Sequence, residues 1–358
     1  MRVALLQFDG KLPNRALMRL SAALRARGDS VDLYRPAEVE RNARGRYRAD
    51  LLYGSLIFDR SRPLAETVLT RNPGLRLGGT GWRPVATLAD VGVEPEGPLD
   101  YSLYPDFEPS LGYTSRGCRR RCPFCLVPRA EGGIRGVATV PELYRGEPHP
   151  RRLLLLDNDF LGQPEWRERL AEVRDGAFRI CLNQGIDLRS LTAEQARALA
   201  SVDYRAVDFS SRRIYAAWDR PRDERTVLRG IRRLLDAGVE ARHLMLYQLV
   251  GFEPGETAAD REKRFRTLDA LGVKVYPMPY RRERELLGFH RWVVYGYFRR
   301  VPWASWVAHG YQAHFLKTER CDCPECLARR ATGRFPRTRR LRTGSGARFP
   351  PNPPGRAG

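Results

Sequence analysis

The sequence predicts an α/β protein in two parts, a small doubly wound, Rossmann-like domain followed by a partial (βα) barrel. Three observations lead to this prediction. Short apolar runs alternate with amphipathic stretches, which is typical of parallel strands covered by helices. A stretch rich in proline, glycine and acidic residues, 90–109, interrupts that alternation once. The connections after this stretch are short, as they are in barrels of repeated strand–helix units.

The first domain is predicted over residues 1–95, with 96–112 as a linker. Its expected helix places Leu17, Leu20 and Leu24 on one face and ends at Gly28, a residue type that commonly follows a helix. The expected strands are residues 3–8, a run around 31–33, residues 51–58 and residues 75–81.

The second domain is predicted over residues 113–282. Thr192 is expected to cap one helix, and Gly238 to end another. The expected strands are 152–156, 178–182, 206–209, 243–250 and 273–277. The expected helices are 166–173, 192–200, 224–237 and 258–271. In such folds the functional site forms at the carboxyl ends of the strands.

Two further segments complete the chain. Residues 283–328 are predicted to be an aromatic helical extension, whose rings pack on the barrel rather than stack on nucleic-acid bases. Residues 329–358 contain glycine, proline and arginine with little to bury, so they are predicted to be a basic disordered tail.

Composition narrows the class of protein. The chain has 358 residues, 42% of them hydrophobic, and no apolar run approaches the roughly 20 residues that span a bilayer. No signal peptide is recognised at the start, so we expect a cytoplasmic protein without a membrane partner. Six of the seven cysteines form two tight triplets, which predicts metal ligands in a reducing compartment rather than disulfides.

The chain is strongly basic. Its formal net charge is +21, and only four of its 63 basic residues are lysines. Nine arginines and no acidic residue lie in 327–358. Nucleic-acid binding and a merely solvated arginine surface are both compatible with this charge.

The first cysteine triplet carries the most information about function. Cys118, Cys122 and Cys125 are separated by gaps of three and two residues in a glycine-flanked segment. Thiolates this close can converge on one metal centre. Four sulfurs would complete a zinc site or a cubane cluster, whereas three leave a cluster iron open to an outside ligand.

Residues 113–125, Tyr-Thr-Ser-Arg-Gly-Cys followed by Cys-Pro-Phe-Cys, closely resemble the cluster loop of radical S-adenosylmethionine (SAM) enzymes. The likeness covers roughly residues 100–280 and is to the branch that includes methylthiotransferases and enzymes with an N-terminal cobalamin-binding domain. It implies a [4Fe-4S] cluster on Cys118, Cys122 and Cys125, with SAM on the fourth iron. It also implies an electron donor such as flavodoxin or ferredoxin, and reductive cleavage of SAM to a 5′-deoxyadenosyl radical that abstracts hydrogen from a substrate.

The resemblance also suggests which residues contact SAM. Phe124 matches the aromatic position near the adenine, and Gly251 lies in a turn where the backbone approaches that ring. Polar residues after two strands are expected to bind the SAM amino and carboxylate groups, the ribose or the substrate. These residues are Asp157, Asp159, Gln184, Asp187 and Arg189.

The second triplet is Cys321, Cys323 and Cys326, with gaps of one and two residues. It is predicted to be a second metal site, either an auxiliary iron–sulfur cluster or zinc with His314 as fourth ligand. The alternative is three unpaired surface thiols.

The first domain resembles the cobalamin-binding domain of the same branch, with Gly78-Gly79-Thr80-Gly81 at the position of its glycine turn. No histidine precedes His149, so the usual axial-ligand motif is absent. The alternatives are cobalamin bound without a protein ligand, or a degenerate or substrate-docking domain, which we favour.

The leading hypothesis is therefore a radical SAM enzyme of unknown substrate. Methylthiolation or methylation of RNA is one branch of it, and modification of a peptide or small metabolite is another. The competing hypothesis from a different class is a non-catalytic zinc protein whose loop lacks a fourth ligand and whose arginine tail binds nucleic acid.

Overall fold

A computed structural model describes residues 1–82 and 87–311. These residues form two compact units, Met1–Glu108 and a second that begins at Pro109. The fold is mixed α/β with parallel sheets, as the sequence predicts.

The first unit contains a four-stranded parallel sheet in the order β2-β1-β3-β4. Its core consists of apolar side chains from the sheet and from the covering helices, among them Leu6, Val39 and Val68. The predicted helix is present, and Gly28 follows it with φ of +86°. The elements are β1 (Arg2–Gln7), α1 (Arg15–Ala26), β2 (Ser30–Tyr34), α2 (Pro36–Arg41), β3 (Leu51–Ser55), α3 (Arg62–Arg71) and β4 (Leu75–Gly78).

Part of the predicted linker packs on this first unit. The Asp100 carboxylate accepts hydrogen bonds from Ser21 Oγ at 2.6 Å and Arg25 Nε at 2.9 Å. Buried Tyr104 donates its hydroxyl to Gln7 Oε1 at 2.8 Å. These contacts explain why the boundary between the two units falls at Glu108.

The second unit contains two parallel sheets, in the orders β10-β9-β8-β5 and β11-β12-β13. A single parallel bridge between Ile186 and Ala216 joins them. Its strands are β5 (Ser110–Gly112), β6 (Ser115–Arg116), β7 (Arg135–Gly136), β8 (Arg152–Leu155), β9 (Arg179–Leu182), β10 (Asp203–Tyr204), β11 (Ile214–Ala217), β12 (Leu244–Val250) and β13 (Lys274–Pro279).

Helices cover one face of these sheets. On α8, Val227, Ile231 and Leu234 recur at helical spacing and are buried. The predicted cap is confirmed, because Thr192 Oγ1 accepts from Gln195 N at 3.1 Å, and Gly238 follows α8 with φ of +91°. The helices are α4 (Val127–Ala130), α5 (Val140–Leu143), α6 (Trp166–Asp175), α7 (Ala193–Ala200), α8 (Glu224–Asp236), α9 (Ala258–Ala270), α10 (Arg284–Val294) and α11 (Trp303–Ala308).

The prediction of a strand at 206–209 is wrong. Phe209 adopts a left-handed backbone, with φ of +57°, which ends any extended run there. The chain forms two short strands instead, β10 before this turn and β11 after it. Ala206 and Phe209 are buried in a turn, which a hydrophobic pattern alone cannot distinguish from a strand.

The aromatic extension is helical, but it is broken at Gly296, which has φ of +71°. Phe289, Trp292 and Trp306 are buried in one cluster with Val250 of β12. The prediction that these rings pack on the sheet-and-helix body is therefore confirmed for the described residues. In the part of the chain that the structure describes, no helix has both the length and the apolar character needed to cross a membrane.

Candidate functional site

The three cysteines of the first triplet line one pocket. Cys118, Cys122 and Cys125 are partly exposed and share a cavity of about 450 Å³ with Gly132 and Gly133. Within residues 1–82 and 87–311, no three His, Cys, Asp or Glu side chains form a ready ligand set for a metal ion. Three thiols are the donor set that an iron–sulfur cluster with one open iron takes, but in the described residues they line the pocket without forming a closed ligand set.

The loop that carries these cysteines follows β5 and folds back on residues 132–136. Gly117 has φ of +81°, and a Cβ there would lie 2.2 Å from the Gly133 carbonyl oxygen, so only glycine fits. The Cys118 amide donates to the Gly132 oxygen at 3.3 Å. The short antiparallel pair of β6 and β7 closes the same turn.

Glu131 stabilises this turn, a role that was not predicted from the sequence. Its carboxylate accepts from the Gly117 amide at 2.8 Å and from Asn158 Nδ2 at 3.1 Å. It also pairs with Arg116, whose Nη2 lies 3.0 Å from Oε1. Glu131 is the lone acidic residue among several arginines in 116–135, and this isolation is the signal that could have identified it.

Asp157 has a positioning role. It lies just after β8, is fully buried, and its carboxylate accepts from the amide and hydroxyl groups of both Thr114 and Ser115, at 2.6–3.1 Å. Burial raises the pKa of Asp157, although these four bonds oppose the shift. The structure therefore uses Asp157 to fix the start of the cysteine loop, and its predicted contact with SAM stays a prediction.

Asp159 connects the same strand end to the first cysteine. Its carboxylate forms a two-point ion pair with Arg119, at 2.8 and 3.1 Å, and lies 3.8 Å from Cys118 Sγ. The Arg120 amide lies 3.3 Å from the same sulfur. Burial raises the pKa of the Cys118 thiol to about 11, so this group would lose a proton on binding a metal.

Asp187 and Arg189 reach the loop from the segment after β9. The Asp187 carboxylate accepts from Arg120 Nε at 2.6 Å and from Arg189 Nε at 2.8 Å. Arg189 Nη2 lies 3.7 Å from Cys122 Sγ, and Nη1 lies 3.4 Å from Asp223. Two predicted residues are therefore assembled around the middle cysteine, although as ion pairs rather than as open ligands.

Aromatic rings join the loop to the last two strands. Phe124 packs edge-on against Phe252 at 5.2 Å between ring centroids, and Phe252 packs edge-on against Tyr280 at 4.9 Å. Phe252 follows β12 and Tyr280 follows β13, so these rings lie at the carboxyl ends of parallel strands. Phe252 was not predicted, although its place directly after a glycine turn is informative.

Gly251 and Gln184 were both expected to contact SAM, and the structure gives them different surroundings. Gly251 has φ of +80°, and a Cβ would lie 2.3 Å from Leu286 Cδ1, so packing of the chain itself explains the glycine. Its amide donates to Glu256 Oε2 at 2.5 Å. Gln184 is exposed after β9 and makes no hydrogen bond within the described residues. The contacts of both residues with SAM stay predictions.

Cys181 is buried in β9, away from solvent, as expected for a small apolar side chain. Burial raises the pKa of its thiol far above the usual range. Cys181 is therefore a natural reference cysteine for experiments on the loop.

In the first unit, Asp9 and the glycine turn that resembles the cobalamin-binding domain are held by contacts within the unit. The Asp9 carboxylate accepts from the Ile57 and Phe58 amides at 2.9 and 3.0 Å. Gly79 packs on Leu56, whose oxygen would lie 2.2 Å from an added Cβ. These residues do not fit an axial-ligand site, and we assign no step to cobalamin.

The second triplet, Cys321, Cys323 and Cys326, and His314 lie outside the described residues. The predicted second metal site and the predicted basic tail therefore stay predictions.

No protein-family model matches the chain, and a search of curated proteins finds no match to it.

Proposed function

We propose that this protein is a radical SAM enzyme that binds a [4Fe-4S] cluster through Cys118, Cys122 and Cys125. The observation that carries the proposal is the arrangement of the loop: three thiols on one pocket, at the carboxyl ends of parallel strands, with carboxylates and arginines around them. The resemblance of residues 113–125 to the radical SAM loop supports it independently.

The strand order is compatible with the partial barrel that this family implies. In the second unit β8, β9, β11, β12 and β13 follow in chain order across the two parallel sheets and the Ile186–Ala216 bridge. Their carboxyl ends lie at a common edge, which is where parallel α/β folds place their ligands. The partial barrel is part of our proposal.

When bound, a [4Fe-4S] cluster carrying SAM would supply an electron that cleaves SAM to methionine and a 5′-deoxyadenosyl radical. The protein residues position and shield these groups. Phe124 and Phe252 offer a ring pair beside the loop for the adenine. The Gln184 amide, exposed after β9, offers a donor for the SAM carboxylate.

Asp157 and Glu131 each hold part of the cysteine loop in place. Asp157 orients Thr114 and Ser115 before the first cysteine, and Glu131 holds the Gly117 amide. Such groups reduce the freedom of the cysteines, so that the thiolates are already placed when iron arrives.

The proposal is tested by anaerobic reconstitution with iron and sulfide, followed by incubation with SAM and dithionite. We expect a brown protein with about four irons for the loop cluster and formation of 5′-deoxyadenosine. Cys122→Ala is expected to abolish deoxyadenosine formation and to leave the circular dichroism spectrum unchanged.

Cys181→Ala is the matched control, since it also removes one cysteine but from the interior of β9. We expect it to retain the cluster and the deoxyadenosine product. Deoxyadenosine formation that survives in Cys122→Ala would overturn the assignment. Zinc bound by the wild-type loop, with no iron after reconstitution, would favour the zinc protein instead.

A further inference from the structure

The cysteine pocket is also bordered by residues that lie outside the strand ends. Its lining includes Pro128, Arg129, Gly132 and Gly133, but none of the strand-end residues that contact the loop. Arg189 and Asp159 contact the cysteines from those strand ends. The sulfurs thus have one side toward the strand ends and another toward residues 128–133.

Two arginines beside these residues have no charge partner in the part of the chain that the structure describes. Arg121 and Arg129 are exposed and line the pocket, and their side chains form no hydrogen bond or ion pair within the described residues. Arg119 and Arg120, their neighbours in sequence, are paired with Asp159 and Asp187. The paired arginines therefore stabilise the site, whereas the unpaired arginines are free to contact a partner.

The rim beside these two arginines is open and positively charged. No acidic residue lines the pocket within the part of the chain described. A Cβ added at Gly132 or Gly133 would meet no atom within 4 Å, so another surface can come close to the backbone there. A rim of this kind attracts acidic partners over the range of a Debye length.

We infer that Arg121 and Arg129 form the docking surface for a small acidic electron-transfer protein that reduces the loop cluster. The inference rests on the proposed function, because cleaving SAM consumes one electron that the chain itself does not supply. Electron-transfer complexes have small interfaces and short lifetimes. A few exposed charges therefore contribute much of their association rate. The opposite side of the sulfurs is left for SAM.

The test uses the reconstituted full chain and reduced flavodoxin as the acidic probe. Arg121→Glu/Arg129→Glu is expected to weaken flavodoxin binding about tenfold or more at low salt, and high salt is expected to weaken wild-type binding similarly. Deoxyadenosine formation driven by flavodoxin should fall in parallel, and by a larger factor than formation driven by dithionite, which measures any effect of these pocket-lining residues on the cluster itself.

Arg229→Glu/Arg232→Glu on α8 is the matched control. Both arginines are exposed and unpaired within the described residues, so this variant changes the net charge equally at another place. We expect it to bind flavodoxin like the wild type.

Three results would overturn the inference: no saturable binding of flavodoxin by the wild type, equal loss in the two double variants, or equal loss with flavodoxin and dithionite. The last would mean that the arginines stabilise the cluster itself. The binding measurement does not depend on SAM cleavage. A wild type that binds flavodoxin but forms no deoxyadenosine with dithionite would therefore contradict the proposed function and not the docking surface.

Discussion

Arg189 places its guanidinium 3.7 Å from the Cys122 sulfur while the same group holds Asp187. A cation at this distance favours the more negative state of whatever the sulfur ligates. Asp187 fixes the orientation of Arg189, and Asp223 contacts its other end at 3.4 Å. The contact therefore depends on a small network rather than on a flexible side chain.

We expect Arg189→Gln to make the midpoint potential of the loop cluster more negative by tens of millivolts, because it removes a positive charge and a donor from the sulfur. Iron content should be unchanged. An anaerobic redox titration followed by electron paramagnetic resonance measures the potential. Arg120→Gln is the control, since the Arg120 side chain pairs with Asp187 and contacts no thiol within the described residues. Equal shifts in both variants would show that the contact itself has no effect.

Asp187 predicts a pH dependence of stability. Burial alone would raise the pKa of Asp187, but Arg189 and Arg120 hold it below its ordinary value of 3.8. The ion pairs therefore contribute stability above pH 3.8, and the contribution is lost as pH falls through the lowered folded-state pKa. We expect Asp187→Asn to destabilise the protein by about 1–3 kcal/mol at neutral pH and by less below pH 4, measured by urea unfolding.

Asp175→Asn is the matched control for this measurement. Among the described residues Asp175 pairs only with the adjacent, exposed Arg174, and such surface pairs contribute little. We expect its unfolding midpoint to stay near that of the wild type across the same pH range. A pH-independent effect of Asp187→Asn would contradict the ion-pair explanation.

Gly117 predicts a local defect in the loop. In Gly117→Ala the added methyl group would stand on a left-handed backbone, which costs about 1–2 kcal/mol. It would also lie 2.2 Å from the Gly133 oxygen. We expect the reconstituted variant to lose more than half of its iron while its circular dichroism spectrum is retained. Gly133→Ala, where an added Cβ meets nothing within 4 Å, should keep its iron. Full iron content in Gly117→Ala would show that the loop is not fixed by this turn.

Local patterns in the sequence predicted much of the fold. The start of α7 followed from Thr192, and the end of α8 from Gly238, because caps and stops depend on neighbouring residues alone. The resemblance predicted that polar residues after β8 and β9 bind SAM or the substrate. Asp159 and Asp187 contact arginines of the cysteine loop, and their contact with SAM stays a prediction.

The sequence could not predict which partner each aspartate binds. Asp157 and Asp159 are two residues apart, yet one binds Thr114 and Ser115 and the other binds Arg119. The choice depends on how the loop folds back over β8, a long-range contact that no local pattern encodes. The strand expected at 206–209 failed for a related reason, since apolar turns are buried as deeply as strands.

The second triplet is predicted to bind a metal, which can be measured in the purified protein. We expect Cys323→Ser to remove the metal of that site and leave the loop cluster intact, because one thiolate ligand is lost. Metal analysis of the purified and reconstituted protein distinguishes the two options: lower iron indicates an auxiliary cluster, and lower zinc indicates a structural zinc site. Unchanged iron and unchanged zinc would show that these cysteines bind neither.

The position of Phe252 predicts that its substitution changes the KM for SAM. Its ring packs between Phe124 of the cysteine loop and Tyr280 after β13, so it sets the position of the ring proposed to face the adenine. Phe252→Leu keeps an apolar side chain but removes an aromatic contact of about 0.5–1.5 kcal/mol. We expect the KM for SAM to rise about 3- to 10-fold with iron content unchanged. Phe298→Leu, which alters an aromatic contact with Phe265 of α9 instead, should leave the KM unchanged. A KM unaffected by Phe252→Leu would place the adenine elsewhere along the strand ends.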